Sequence, residues 1–411
     1  MTQAMKWVNA LSTRPSLEAA VEDVVEQAQK LLQVPADLGL VFISSAFASE
    51  YSRLMPLLQE KLLQENLSLP ALIGCCGGGI VGVDAQGNVQ EVEDGAALSL
   101  TLAHLPGVKV QTFHISTDVL PDPDSSPDAW VELMGVPPQD QPHFILLGDP
   151  MSSGTNELLQ GLDFAYAGAA KVGGLADAGS FGNHSSLFCD FKQYRDGMVG
   201  VALSGNLVME TIVAQGCRPI GQPYQVVEGE RNILLKLEES AYGKTHTPLE
   251  ILQGIFEDLD EEDRALAQRS LSIGIAQSAF KQTLEQGDFL IRNVLGVDPR
   301  TGAMAIGDRV RPGQRIQFHM RDAEASEDDL TMLLERYQNQ DQTSSPAGAL
   351  MFACLGRGEG LYNRPNFDSR LFTRYLNVPL SGFFCNGEIG PVGNTTFLHG
   401  YTSVFGICRQ P

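Results

Sequence analysis

Three stretches of this sequence repeat one pattern, an apolar strand, a helix and a second apolar strand that closes on glycine, and no other feature limits the fold as much. The first copy is GLVFIS (39–44), a Leu-rich amphipathic helix over 51–65 and PALIG (70–74). HFILLG (143–148), 154–166 and AKVGG (170–174) form the second, and GALMFAC (348–354), 366–376 and PLSGFF (379–384) the third. Within each copy the apolar spacing switches from strand to helix and back. Each spans roughly 30 residues, enough for a crossover that lays the second strand parallel to the first.

The residues just after the first and third copies also agree. Gly74 precedes Gly79 and Ile80 at the spacing with which Gly382 precedes Gly387 and Glu388, which suggests two related halves. ALSLTLAHL (97–105), VKVQTFHI (108–115), GMVGVALSG (197–205) and RIQFHM (315–320) alternate like antiparallel strands. The expected class is therefore α/β with mixed (α+β) sheets covered by helices. Gly216, Pro219, Gly221, Pro223 and Gly229 interrupt the periodic segments, so the predicted domains are 1–215 and 216–411. Charged helices are predicted over 250–269 and over 327–338, the latter capped by its SEDDL start. The runs 120–128 and 339–346 read as exposed loops.

Charge narrows the partners. With 28 basic and 50 acidic residues the net charge is −22, a field that repels both nucleic acid and anionic membrane surfaces. Apolar residues at 43% supply a large core without a membrane-spanning run. The start MTQAMKWVNALSTRPS lacks the features of an export leader, so a cytoplasmic location is expected. Seven scattered cysteines without a CxxC motif imply neither a disulfide scaffold nor a zinc site. No cofactor is expected.

Chemistry concentrates between 383 and 407. There FFCNGEIGPVGNTTFLHGYTSVFGI places Asn386, Glu388, Asn394, Thr395, Thr396 and His399 between two apolar strands, where a sheet ends and a binding site is commonly built. Gly77, Gly79 and Gly82 satisfy GxGxxG, but VGVDAQGNVQEV continues as a hairpin turning at 84–88 rather than as the helix a dinucleotide site needs. No phosphate loop, nucleophile elbow or HExxH is present. Cys354, with Arg357 three residues on and His399 downstream, is the one candidate nucleophile, against its reading as a small core residue. Cys75 and Cys76, adjacent in a strand, face opposite ways, so one is free to line a pocket.

Several of these blocks together resemble the FIST family. GEIGP at 387–391 with His399 and Thr402 is similar to its carboxy-terminal signature, MFACLGRG (351–358) to its strand ending in Cys and Arg, and GCRPIGQPYQVVEGERNILLKLE (216–238) to the start of FIST-C. LIGCCGGGIVG (72–82) and VGGLADAG (172–179) resemble the two glycine blocks of FIST-N. The resemblance implies a FIST-N-like domain over 1–215, a FIST-C-like domain over 216–411 and a sensory module for a small molecule, with an amino acid as the candidate ligand. FIST pairs are often fused to output domains; here the blocks fill the chain, so a separate downstream protein partner is implied.

An amino-acid ligand needs a cation or amides for its carboxylate and an oxygen group for its ammonium. Arg357, or the amides of Gly77, Gly78 and Gly79 as an anion nest, meet the first need, and Glu388 the second. Asn386, His399 and Thr402 complete the hydrogen bonds, with Asp177, Cys354 and Cys75 as further lining. Two alternatives stand beside this reading: an interaction scaffold without a ligand, and a Cys354-dependent enzyme or redox sensor.

Overall fold

The computed structural model describes residues 4–177, 185–239, 243–278, 281, 283–284, 287–340 and 344–411. The chain divides into two compact units, Met1–Val213 with Leu333–Pro411, and Ala214–Met332. These are not the contiguous halves expected from the sequence. The chain leaves the first unit close to the expected boundary but returns to it, because strands of the third copy pair with strands of the first two.

The first unit is one plan executed three times, each copy centred on a six-stranded sheet. The first sheet runs Lys6–Ser12, Leu98–His104, Leu38–Ser44, Leu72–Gly77, Leu187–Cys189, Lys192–Tyr194. The second runs Val108–Ile115, Met198–Gly205, His143–Gly148, Lys171–Leu175, Glu388–Val392, Thr395–His399. The third runs Val208–Ala214, Ser403–Arg409, Gly348–Cys354, Leu380–Cys385, Gly79–Val83, Val89–Val92. In each, the two middle strands are the predicted parallel pair and the rest pair antiparallel. Helices Tyr51–Gln64, Thr155–Ala165 and, in the third copy, Glu359–Tyr362 with Phe367–Tyr375 make the crossovers. The central strands carry apolar side chains on both faces, and Leu38–Ser44 is buried throughout, as parallel strands covered on both sides must be.

The outer hairpin of every sheet belongs to a different copy. Gly79–Val83, which continues the first copy, pairs with Leu380–Cys385 of the third. Glu388–Val392, from the third, pairs with Lys171–Leu175 of the second. Leu187–Cys189, from the second, closes the circle on Leu72–Gly77 of the first. The agreement seen between the first and third copies thus extends to the second, as a cyclic exchange of hairpins.

The glycine that ends each sequence repeat has a steric reason. Gly74, Gly173 and Gly382 lie opposite Val41, Leu146 and Met351 in the parallel pairs. A Cβ would stand 2.1, 1.8 and 1.8 Å from those residues' carbonyl oxygens. Only glycine permits an approach this close.

The second unit is a six-stranded antiparallel barrel. Cys217–Glu230, Arg315–Arg321, Leu271–Ala276, Phe289–Val297, Met304–Ile306 and Ile233–Glu239 follow in order, and Cys217–Glu230 pairs again with Ile233–Glu239 to close it. Phe318, Ile273, Leu234 and Leu237 fill its core. The helix predicted over 250–269 is two, Pro248–Asp258 and Glu261–Ser270, because Asp260 accepts the Asp263 amide and caps a new start. The helix expected from 327 starts at Ala323: Asp322 accepts the Ala325 amide, while Ser326 is buried against the Gly216 carbonyl.

Candidate functional site

All three parallel pairs end on one face of the first unit, and there the chain passes from sheet to sheet. Three backbone hydrogen bonds link the crossings in a ring. Gly78 donates to the Phe384 carbonyl (3.0 Å), Asn386 to Leu175 (3.0 Å) and Asp177 to Cys76 (3.2 Å). Gly78, Asp177 and Asn386 are therefore equivalent positions of the three copies. The Asn386 side chain donates to Asp177 Oδ1 at 2.7 Å. Gly78 contributes no side chain, and a Cβ there would strike Leu355 at 2.1 Å and approach Asp177 Oδ2 to 3.0 Å. Asn386 is exposed, and Asp177 and Gly78 are half-buried. The ring thus opens to solvent with an amide and a carboxylate at its mouth.

Glu388 lies behind the ring and is fully buried. Strand register places it where the other copies have Ile80 and Leu187. Its Oε2 accepts the Thr402 amide at 2.9 Å, and the Cys385 thiol lies 3.6 Å from Oε1. Burial pushes its carboxyl up to about 8, opposed by the Thr402 amide and Cys385 thiol. The amide it holds has counterparts: Ala97 donates to Ser44 Oγ (2.9 Å) and Gly197 to Ser152 Oγ (2.8 Å). A buried carboxyl does in the third copy what serine hydroxyls do in the others.

Arg357 is not presented to a ligand. It is buried, and its guanidinium grips Asp368 with both arms, Nε to Oδ2 at 2.7 Å and Nη2 to Oδ1 at 3.0 Å, with Nη2 also donating to Tyr362 Oη at 2.6 Å. The bidentate clamp expected for a ligand carboxylate is thus closed on a carboxylate of the chain itself. Beside it Glu91 is buried, and desolvation, with Asp368 adding repulsion, raises its carboxyl to about 7.

The glycine nest is likewise spent on the fold. Gly78 donates to Phe384, and Gly79 sits in strand register with it. Gly77 packs against Phe383, where a Cβ would come within 2.7 Å of the Phe383 Cβ. Cys75 and Cys76 are both buried, since both faces of their strand are covered, so neither lines an opening. Burial raises both thiols, Cys76 to about 11. His399 is buried opposite Glu388 and its Nε2 meets the Gly390 carbonyl at 2.9 Å. Thr402 Oγ1 donates to the Gly400 carbonyl. Cys354 is half-exposed and in register with Cys385.

Of the predicted residues, then, Asp177, Asn386 and Gly78 meet at the solvent-facing ring, with Cys354 beside Leu355 at its edge. Glu388, Thr402 and His399 support it from behind. Asp368 and Tyr362, which engage Arg357, were not singled out from the sequence; nothing in their surroundings there marks them. Cys385 lay within the polar block 383–407 without being chosen.

Several cavities open outside the ring, and the predicted residues line none of these. One of about 420 Å³ lies at the end of the second copy's strands, between Ser116, Asp149, Ser152 and Arg195. One of about 590 Å³ lies between Asn9, Lys30, Asp84 and Asn377. A third, about 630 Å³, lies on the second unit beside Tyr224, Glu239 and His246. Among the described residues no cluster of His, Cys, Asp and Glu has metal-binding geometry, and no helix is long and apolar enough to cross a membrane.

The FIST N domain matches residues 37–240 and the FIST C domain residues 248–391. The chain belongs to the FIST family. FIST domains are associated with signal transduction and the binding of small ligands. An uncharacterized protein of Mycobacterium tuberculosis, Rv0628c, is 32% identical over 396 residues, 96% of this chain and 97% of that protein. Mb0898c, an uncharacterized protein of Mycobacterium bovis, is 32% identical over 397 residues, 96% of each. An F-box/LRR-repeat protein of Arabidopsis thaliana, At5g63520, is 23% identical over 368 residues, covering 75% of this chain and 66% of that protein. The two FIST matches do not follow the compact units: the N match runs past 213 into the barrel, and the C match begins in the barrel and ends in the first unit.

Proposed function

We propose that this FIST chain is a cytoplasmic sensory protein that binds a small polar metabolite on the carboxyl-end face of its first unit and passes the signal to a separate protein partner. The observation that carries the reading is the ring itself. Three parallel pairs end together there, and sheets of this kind hold ligands outside the carboxyl ends of their strands. Asp177 and Asn386 put a carboxylate and an amide at the crossing, beside Gly78, whose bare position is covered by Leu355. An amino acid or similar zwitterion suits such mixed groups. Arg357, closed on Asp368, takes no part in recognition.

The test is native mass spectrometry of the freshly purified full chain, with the same measurement then made on Asp177→Ala. A small molecule retained by the wild type and lost by the variant supports the reading. Retention by both moves the site away from the ring, and a stoichiometric co-purifying protein without any small molecule favours a scaffold.

A thiol-dependent activity has one observation in its favour: Cys354 is half-exposed while the other six cysteines are buried. It requires Cys354 to be alkylated at neutral pH much faster than Cys189 or Cys385, and comparable slow rates remove it.

A further inference from the structure

We infer that the ligand seat of this face is the cavity of about 420 Å³ at the second copy, and that it takes a small zwitterion, with Arg195 holding the acidic group and Asp149 the basic one. The inference rests on ligand binding by the carboxyl-end face, moves the seat from the Asp177–Asn386 ring to this cavity, and adds the charge pattern of the ligand.

The equivalence of the three copies singles out this place. The amides of Ser44, Asp149 and Cys354 donate to the carbonyls of Ala97, Gly197 and Thr402, which makes these positions equivalent and aligns Arg195 with Gly95 and Gly400. The first copy thus has serine and glycine, and the third cysteine and glycine, where the second has aspartate and arginine. At these two positions opposite charges occur in the second copy and not in the first or third.

The groups around the cavity divide into used and unused. Asp149 is 6% exposed and accepts hydrogen bonds from Ser152 Oγ at 2.9 Å and from Ser185 Oγ. Ser152 in turn accepts the Gly197 amide. A carboxylate has about four acceptor sites, so Asp149 keeps capacity for an ammonium. Arg195 is exposed at the rim and forms no ion pair among the described residues. Thr117 and Ser153 add hydroxyl donors to the wall, and Ser153 leads into the helix Thr155–Ala165, whose N-cap Gly154 supplies no side-chain acceptor.

Charge decides the class of ligand. An inorganic anion would meet Arg195 but also Asp149, Asp118 and Asp196, which all line the same space. A simple amine would satisfy the aspartates and leave the guanidinium unanswered. A molecule carrying both charges answers both, and the volume admits one of amino-acid size.

The experiment is calorimetric titration of the full chain with individual amino acids, in parallel with inorganic phosphate, for wild type, Arg195→Ala and Thr117→Val. Arg195 is exposed and its removal leaves the fold intact; Thr117→Val tests the wall without touching a charge. The expected result is one or more zwitterions that bind the wild type and bind Arg195→Ala about tenfold or more weakly, as loss of a charged hydrogen bond implies, with a smaller loss for Thr117→Val. Equal affinity for wild type and both variants overturns this seat while leaving ligand binding by the face intact. Arg195-dependent binding of phosphate alone overturns the zwitterion. Absence of any binding by a wild type shown to be ligand-free overturns both the seat and the reading beneath it.

Discussion

Asn386 and Asp177 hold equivalent places in two different copies of one structural plan, and the side chain of the first donates to the second over 2.7 Å. The third equivalent, Gly78, is bare. A pseudo-threefold ring that needs only backbone hydrogen bonds has here acquired polar groups at two positions, while Leu355 covers the third. That departure from the repeat, like the buried Glu388 in place of Ile80 and Leu187, sets these positions apart from their equivalents in the other copies.

The repeat glycines are expected to be among the least replaceable residues. In Gly382→Ala the new Cβ would sit 1.8 Å from the Met351 carbonyl oxygen, and the strands must part. Overpacking costs about 1–3 kcal/mol and occasionally more, and a contact this short with a backbone oxygen belongs at the upper end. Gly360→Ala, where nothing lies within 4 Å of the added Cβ, is expected to be neutral or to stabilise by up to about 1 kcal/mol. Urea unfolding of the two variants beside the wild type checks both.

The Arg357–Asp368 pair is expected to behave as a structural unit. Its partners are 0% and 1% exposed at the side chain, so Asp368→Asn leaves a buried guanidinium uncompensated. Breaking such a pair from one side costs about 3–5 kcal/mol. Replacing both, as Arg357→Met with Asp368→Leu, should cost less than the two single changes together. A double-mutant cycle in denaturant measures the difference.

Glu388 should make the protein less stable as the solution becomes more alkaline. Its carboxyl ionises near 4.5 when unfolded but is raised to about 8 by burial. Between those values the unfolded chain releases a proton that the folded chain keeps, so this group lowers stability progressively from about pH 4.5 to pH 8 and no further above it. Glu388→Gln retains an acceptor for the Thr402 amide but cannot ionise. Unfolding free energies at pH 5 and pH 8 should fall less between the two in the variant. An unchanged slope would mean that Glu388 is ionised in the folded protein.

Much of the architecture was legible because it repeats. The apolar strands around Phe42, Phe144 and Phe352 and the glycines that close each copy are dictated by steric contact inside one crossover, so short stretches of sequence carry them. The exchange of hairpins between copies was not legible, since Glu388 pairs with Gly174 across more than half the chain and no local periodicity encodes such a partner. The return of the chain to its first unit was missed for the same reason. At the ring, the polar block after Gly382 pointed to Asn386, with Glu388 behind it, and the double glycine pointed to Asp177. Arg357 misled: a sequence shows a cation beside a strand end but not Asp368, which engages it. Arg195 and Asp149 gave no motif, because what distinguishes them is the serine, cysteine and glycines at the equivalent positions of the other copies.

Binding of a small polar molecule on the carboxyl-end face of the first unit is tested most directly by thermal unfolding. Ligand-free protein, verified by native mass spectrometry, is unfolded against the twenty amino acids and common metabolites in large excess. A ligand present at 100 times its dissociation constant adds about 2.7 kcal/mol, or roughly 5–10 °C. A selective rise of that size, diminished in Asp177→Ala or Arg195→Ala, is the expected result; a flat panel for the wild type would contradict ligand binding by this face.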